Sequence, residues 1–190
     1  NTYMNICSRL KPQEFIYGLG EHFTEFNKRG QCIRMWNSDT LGCRDDKAYK
    51  NIPFYLSSEG YGLFVNSYRD VLFNIGTESN ASLSIHVPGE EVEYYIITGE
   101  NQKQIVSTFT NLTGPAAMPP DWSFGLWYST GFKDSDRQSV LEDAIKFREL
   151  DIPCNVFHLD CYWLREDMWC DFVWDEERYP DRIDMIQKLK

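Results

Sequence analysis

The spacing of apolar positions changes near residue 115. Before it, short apolar runs at 52–56, 62–66, 71–75, 83–87 and 92–97 read as strands. Turn residues separate them: Gly60, Asn66-Ser67, Gly76 and Pro88-Gly89. Many short strands with regular turns predict a β-sandwich. Residues 100–110 then read as a helix, with Ile105, Val106 and Phe109 on one face.

The segment TGPAAMPPD, 113–121, resists both helix and sheet and marks a boundary. The chain therefore divides into a domain at 1–114 and a second at 115–190. Past the boundary the pattern becomes strand, helix, strand, helix. Residues 122–127 read as an apolar strand and 155–159 as another. Between them Ser135 is placed to cap a helix, with Gln138 reaching back. Val140, Leu141, Ala144, Ile145, Phe147 and Leu150 supply that helix's buried face, and Pro153 follows its end. Pro180-Asp181 opens a last helix carrying Ile183, Ile186 and Leu189. This rhythm belongs to a parallel sheet or barrel, cut after two units. The chain reads as a piece of something longer, since it starts without Met and stops inside a helix. It shows no internal repeat.

Composition narrows the function. The formal charge of −10 and the lack of a basic patch argue against nucleic acid. No apolar run approaches the roughly 20 residues of a membrane helix. The six cysteines, at 7, 32, 43, 154, 161 and 170, form no CxxC pair, so no metal site is expected. Reduced thiols and a cytoplasmic setting follow as the reading. Two sequons, at Asn80 and Asn111, would matter only in a secreted eukaryotic protein. Walker A, GxSxG and GxGxxG patterns are absent, and no cofactor is implied.

The chemistry concentrates at 154–174, CNVFHLDCYWLREDMWCDFVW. A buried strand ends in Asp160, and α/β barrels place their sites just beyond strand C-termini. A carboxylate there is costly without partners, and ligand hydroxyls are such partners. The structural alternative is an ion pair with Arg165. From spacing alone Asp160 is a base, a nucleophile or a binder. Tyr162, Trp163, Trp169, Phe172 and Trp174 form a small loop core, and one or two facing a cleft would give a sugar a stacking platform. Phe132, after the first barrel-like strand, has the same two readings. His158 reads as a core residue rather than a base. Asp39, in the polar loop WNSDT, reads by itself as an Asx turn, and Glu21, after two glycines, as a turn.

Taken together, YGLGEHF at 17–23, MWNSD at 35–39, AYKNIPFYLSSEGYGLFVN at 48–66, PAAMPPDWSFGLW at 115–127, FHLDCYW at 157–163 and WCDF at 169–172 resemble glycoside hydrolase family 31, most closely its bacterial α-xylosidases. The resemblance runs through nearly the whole chain in the family's order. It implies a galactose-mutarotase-like β-sandwich followed by the start of a (β/α)8 TIM barrel, truncated after about two βα units. It implies that Asp160 binds hydroxyls of the sugar in the −1 subsite and that Asp39 reaches the active site from the sandwich. Phe132 and Trp169 would line the pocket.

The run Asp160-Cys161-Tyr162 is similar to xylosidases rather than α-glucosidases, so Cys161 and Tyr162 bear on which sugar fits. Tyr162 stands where xylosidases often have Phe, which leaves glucoside or transfer activity open. The family is retaining, with an Asp nucleophile and an Asp acid/base. Neither is matched in this chain, and both are expected beyond Lys190, so the chain alone should hydrolyse nothing. The expectation is a piece of an α-xylosidase acting on oligosaccharides, with no nucleic-acid or membrane partner. Whether the full enzyme is a homo-oligomer is left open. The rivals are an α-glucosidase or α-transglucosylase of the same family, and a non-catalytic carbohydrate-binding module.

Overall fold

A computed structural model describes residues 2–39, 46–131 and 135–190. Two compact units divide the chain, Asn1–Ala116 and Ala117–Lys190.

The first unit is a sandwich of two four-stranded antiparallel sheets. Its strands are β1 (Tyr3–Arg9), β2 (Ile16–Gly20), β3 (Gln31–Met35), β4 (Asn51–Ser57), β5 (Tyr61–Val65), β6 (Val71–Ile75), β7 (Ser82–Pro88) and β8 (Tyr94–Thr98). One sheet runs β1-β7-β6-β3 and the other β2-β4-β5-β8. Side chains alternate across each strand, so Ile33, Met35, Tyr55, Leu63, Val65, Phe73, Ile75, Leu83 and Ile85 fill one buried core.

Helix α1 (Gln102–Thr113) is capped by Asn101, whose side chain accepts from the Gln104 N–H. Its Ile105 is fully buried against Phe54 and Ile97, and Phe109 stacks on Phe54 with ring centroids 4.0 Å apart. Gly62 permits that approach, because a Cβ there would lie 2.7 Å from the Phe54 ring. Val106, expected on the buried face, is exposed instead.

The sequence reading missed β1, β2 and β3. In β2 the glycines of YGLG punctuate no turn; they bend a strand. The register slips between Gly18 and Gly20, a β-bulge. Gly20, at φ +92°, passes so close to the Lys50 carbonyl that a Cβ would meet it at 2.3 Å.

The second unit pairs β9 (Trp127–Ser129) with β10 (Val156–His158) in parallel, with α2 (Arg137–Glu149) between them and α3 (Arg182–Leu189) after. Two expectations fail at the start of this unit. Residues 122–127 are not a strand: Asp121–Phe124 form a 3-10 turn, held by the Ser123 N–H and hydroxyl on the Pro120 carbonyl, and pairing begins at Trp127. The cap of α2 is Asp136, reciprocated by Ser139, not Ser135 with Gln138. Ser135 is buried, with its Oγ 2.7 Å from the Tyr179 hydroxyl.

The helix faces are narrower than predicted. Val140 is buried, but Ile145 sits about 140° further around the helix and is exposed. Leu150 lies past the last turn and is exposed too. On α3 the buried residue is Met185, while Ile183 and Ile186 face out. The core of this unit is Val140, Tyr179 and Met185, with Phe157, Leu159, Trp163 and Trp174 packed on it. No helix among the described residues is long and apolar enough to cross a membrane.

Candidate functional site

Each unit contributes one group of chemistry-bearing side chains. In the sandwich, β3 runs on into Trp36, Asn37, Ser38 and Asp39. The loop they open is pinned where it returns. Asn37 bridges Ala48, the Ser38 N–H donates to the Ala48 carbonyl at 3.1 Å, and Asn51 Nδ2 donates to Asn37 Oδ1 at 2.7 Å. Against this base the Tyr49 hydroxyl donates to the Asp39 carboxylate. His22 Nδ1 lies 3.1 Å from the Asp46 carbonyl on the returning arm. Glu21, taken as a turn residue, continues the edge of β2, its N–H donating to the Lys50 carbonyl at 2.9 Å.

In the second unit β9 and β10 end side by side, with Ser129 opposite His158. Ser129 Oγ lies 3.1 Å from His158 Nδ1 and accepts from the Gly131 N–H. His158 is therefore no core residue; it is exposed and joins the two strand ends. Two residues on, Asp160 is half-buried and its carboxylate accepts the Cys161 N–H at 2.6 Å, opening the 3-10 turn Cys161–Trp163. Arg165 does not pair with Asp160. Its guanidinium holds both contacts on Asp171, six residues along the same loop. Desolvation, and then the adjacent Asp160 carboxylate, raise the pKa of the Cys161 thiol and keep it protonated. The Tyr162 ring lies under the Arg178 guanidinium, 5.6 Å from carbon to ring centroid.

The aromatic loop sorts into packers and exposed rings. Leu164 bridges Trp174, and the Asp175 N–H donates to the Trp163 carbonyl at 2.9 Å, so the loop is closed at its neck. Trp163 packs on Trp174, and Trp174 on Tyr179. Asp171 steadies the tip: the Val173 N–H, and then Arg165, hold its carboxyl below the ordinary carboxylate range. Trp169 and Phe172 stay exposed, and Phe172 adopts φ +56°, which bulky side chains rarely do.

Asp160, Cys161 and Tyr162 thus follow one another at a parallel strand end, with Trp169 on the loop they open. Asp39 lies in the other unit, and Phe132 lies outside the described residues. A half-exposed carboxylate accepts several hydroxyls at once, and an exposed indole presents an apolar plane. Each is a feature that a polyol with C–H faces can use. Among the described residues no three His, Cys, Asp or Glu side chains gather as a metal would require. Sequence reasoning passed over Tyr49, Ser129 and Arg178. Of these only Tyr49 carried a signal, its place in AYKNIPF.

Comparison with known proteins bears on both units. Residues 1–74 match the glycosyl hydrolase 31 N-terminal galactose mutarotase-like domain, and residues 116–190 the glycosyl hydrolases family 31 TIM-barrel domain. The chain is 44% identical over 189 residues to the α-xylosidase XylQ of Lactiplantibacillus pentosus, covering 99% of this chain and 25% of that protein. It is 42% identical over 182 residues to an α-xylosidase of Emericella nidulans, covering 95% of this chain and 23% of that protein. Among solved structures it resembles a GH31 dextranase of Flavobacterium johnsoniae complexed with isomaltotriose, with TM-score 0.92 and 33% identity over all of this chain and 23% of the other. The chain spans about a quarter of the length of these relatives.

Proposed function

The chain belongs to glycoside hydrolase family 31, and from that premise we propose that it is the N-terminal part of a retaining α-xylosidase acting on oligosaccharides. One observation carries this reading: identity to two α-xylosidases exceeds 40% over nearly the whole chain. In this reading Asp160 holds hydroxyls of the sugar whose bond is cut. Asp39, steadied by Tyr49, approaches the same sugar from the sandwich. Trp169 and Phe132 line the pocket, and Cys161 and Tyr162 set the room near C5. The nucleophile and the acid/base, about 5–5.5 Å apart in retaining enzymes, lie on parts of the enzyme outside this sequence. One forms a glycosyl ester; the other protonates the leaving oxygen and then activates water. This chain's residues orient the sugar so that its hydrogen bonds strengthen as the ring flattens.

A second reading, an α-glucosidase or α-transglucosylase, draws support from the 33% identity to a dextranase and from Tyr162, a bulkier polar ring than Phe. The test uses the whole protein. Rates on 4-nitrophenyl α-xyloside and α-glucoside are compared, and a 2-fluoro glycoside traps the nucleophile. Faster xyloside turnover, with no label between residues 1 and 190, is expected. Faster glucoside turnover selects the second reading, and a labelled carboxylate in this chain overturns the assignment of roles.

A further inference from the structure

Side chains at the ends of β9 and β10 divide between two faces. Phe157 and Leu159 pack on the core of the second unit, and the Tyr128 ring meets Phe147 and Phe157. The Tyr128 hydroxyl also donates to the Asp143 carboxylate of α2 at 2.9 Å. Side chains alternate along extended backbone, and Asp160 is extended at φ −75° and ψ −176°. Ser129, His158 and Asp160 therefore lie on the opposite face, away from the helices. A (β/α)8 barrel turns that face inward and builds its site at the C-terminal ends of the strands.

The contact between Ser129 and His158 decides what the imidazole offers. Ser129 Oγ lies 3.1 Å from His158 Nδ1 and already accepts the Gly131 N–H at 3.1 Å. The hydroxyl's own proton is the one left for Nδ1, so Nδ1 accepts and the ring's N–H stands at Nε2. Holding Nδ1 also holds the ring, which gives that N–H a set direction. His158 is exposed, and among the described residues its Nε2 has no partner. Asp160 follows two residues on, about 6.6 Å along the strand direction. One group donates and the other accepts. A sugar hydroxyl does both, so two hydroxyls of one ring can be met by this pair.

We propose that His158 is a substrate-binding residue whose Nε2–H donates to a hydroxyl of the same sugar that Asp160 holds. The proposal rests on the glycosidase reading and adds to it a donor beside the acceptor. Ser129 is then the positioning residue that aims the ring.

The test is made on the full-length enzyme, with whichever 4-nitrophenyl glycoside, α-xyloside or α-glucoside, the wild type turns over faster. Two substitutions separate the two nitrogens. His158→Asn keeps an acceptor for the Ser129 hydroxyl and removes Nε2, whereas His158→Gln places an N–H near Nε2 and gives up Nδ1. His158→Asn should lower kcat/KM about tenfold, the effect of one hydrogen bond, and His158→Gln should recover most of it. A purely structural tie between the strands predicts the reverse, with His158→Asn near wild type and His158→Gln impaired. That order, or unchanged kcat/KM in both variants, overturns the proposal. Monodeoxy forms of the same glycoside decide a case in which both variants lose activity. On the form lacking the hydroxyl that His158 meets, His158→Asn and wild type should have equal kcat/KM; a loss of one size on every form overturns the proposal. A wild-type enzyme that turns over neither glycoside fails the glycosidase reading, and the proposal falls with it.

Discussion

The Tyr49 hydroxyl donates to the Asp39 carboxylate across a loop whose two arms are bridged at Asn37 and Ala48. Tyr49 is 61% exposed, so its hydroxyl contributes little to the core. What it does is orient a carboxylate. Hydrogen bonds to a charged group are worth about 1.5–3 kcal/mol, so Tyr49→Phe should lower kcat/KM of the whole enzyme about tenfold or more. The melting temperature should move by no more than about 2 °C. An unchanged kcat/KM would show that Asp39 needs no such support.

That bond also marks where the sequence stopped being legible. Asp39 alone reads as a turn residue, and only the family resemblance lifted it, because its partner depends on how a loop returns ten residues later. The place of Asp160 was legible, since an apolar run followed by a carboxylate marks a strand end, and Asp160 does follow β10. Arg165, the obvious ion-pair partner, could not be placed without knowing that the loop closes on itself and brings Asp171 to it.

Among the strands, β4 to β8 showed themselves through apolar runs between turn residues. β2 was hidden because its glycines form a bulge that in sequence looks like a turn. β1 was hidden because it is a sheet edge with mostly exposed side chains. On α2 and α3 the apolar residues outnumber the positions that a two-stranded sheet can cover, so composition overstated the buried face.

Glu14 gives the sandwich a pH dependence with a definite sign. Its side chain is 2% exposed and accepts from Ser57 Oγ at 2.5 Å, the Tyr61 hydroxyl at 2.8 Å and the Lys11 N–H at 3.0 Å. Burial alone would raise its pKa, but these bonds outweigh burial and hold it below the ordinary 4.5. The unfolded chain therefore takes up the proton at higher pH than the folded one. Its stabilisation is full above pH 4.5 and is lost as pH falls through the lowered value. Glu14→Gln sets an N–H donor against either the Lys11 N–H or the two hydroxyls, at a cost of about 1–3 kcal/mol. Hydrogen exchange of β4 amides should show that gap at pH 7 and a narrowing below pH 4.5; a gap independent of pH would remove Glu14 as its source.

The start of α2 separates two neighbouring residues by role. Asp136 accepts the Ser139 N–H at 2.8 Å, and the Ser139 hydroxyl returns to the Asp136 backbone, so Asp136→Ala should cost about 1 kcal/mol. Ser135 is buried on Tyr179, and Ser135→Ala should cost about 1–2 kcal/mol through that bond. Restoring a cap separates them. Asp136→Asn should recover most of the loss, whereas no change at position 136 should rescue Ser135→Ala. Urea denaturation of the four variants checks this, and rescue of Ser135→Ala by a better cap would return the capping role to Ser135.

Asp160 has the opposite profile to Asp136, and the difference follows from its partners. Among the described residues its carboxylate meets only the neighbouring Cys161, whose N–H it accepts, and the nearby guanidinium is taken by Asp171. Asparagine keeps an oxygen for that N–H, so Asp160→Asn should change the melting temperature by no more than about 2 °C. A sugar hydroxyl bound by the carboxylate would lose a charge-assisted hydrogen bond, and more of it in the transition state than in the ground state. Asp160→Asn should therefore lower kcat/KM of the whole enzyme by about a hundredfold, with much of the loss in kcat. Equal kcat/KM for the variant and the wild type would remove Asp160 from the site. A large fall in melting temperature would instead make it a structural acid whose partner lies elsewhere in the enzyme.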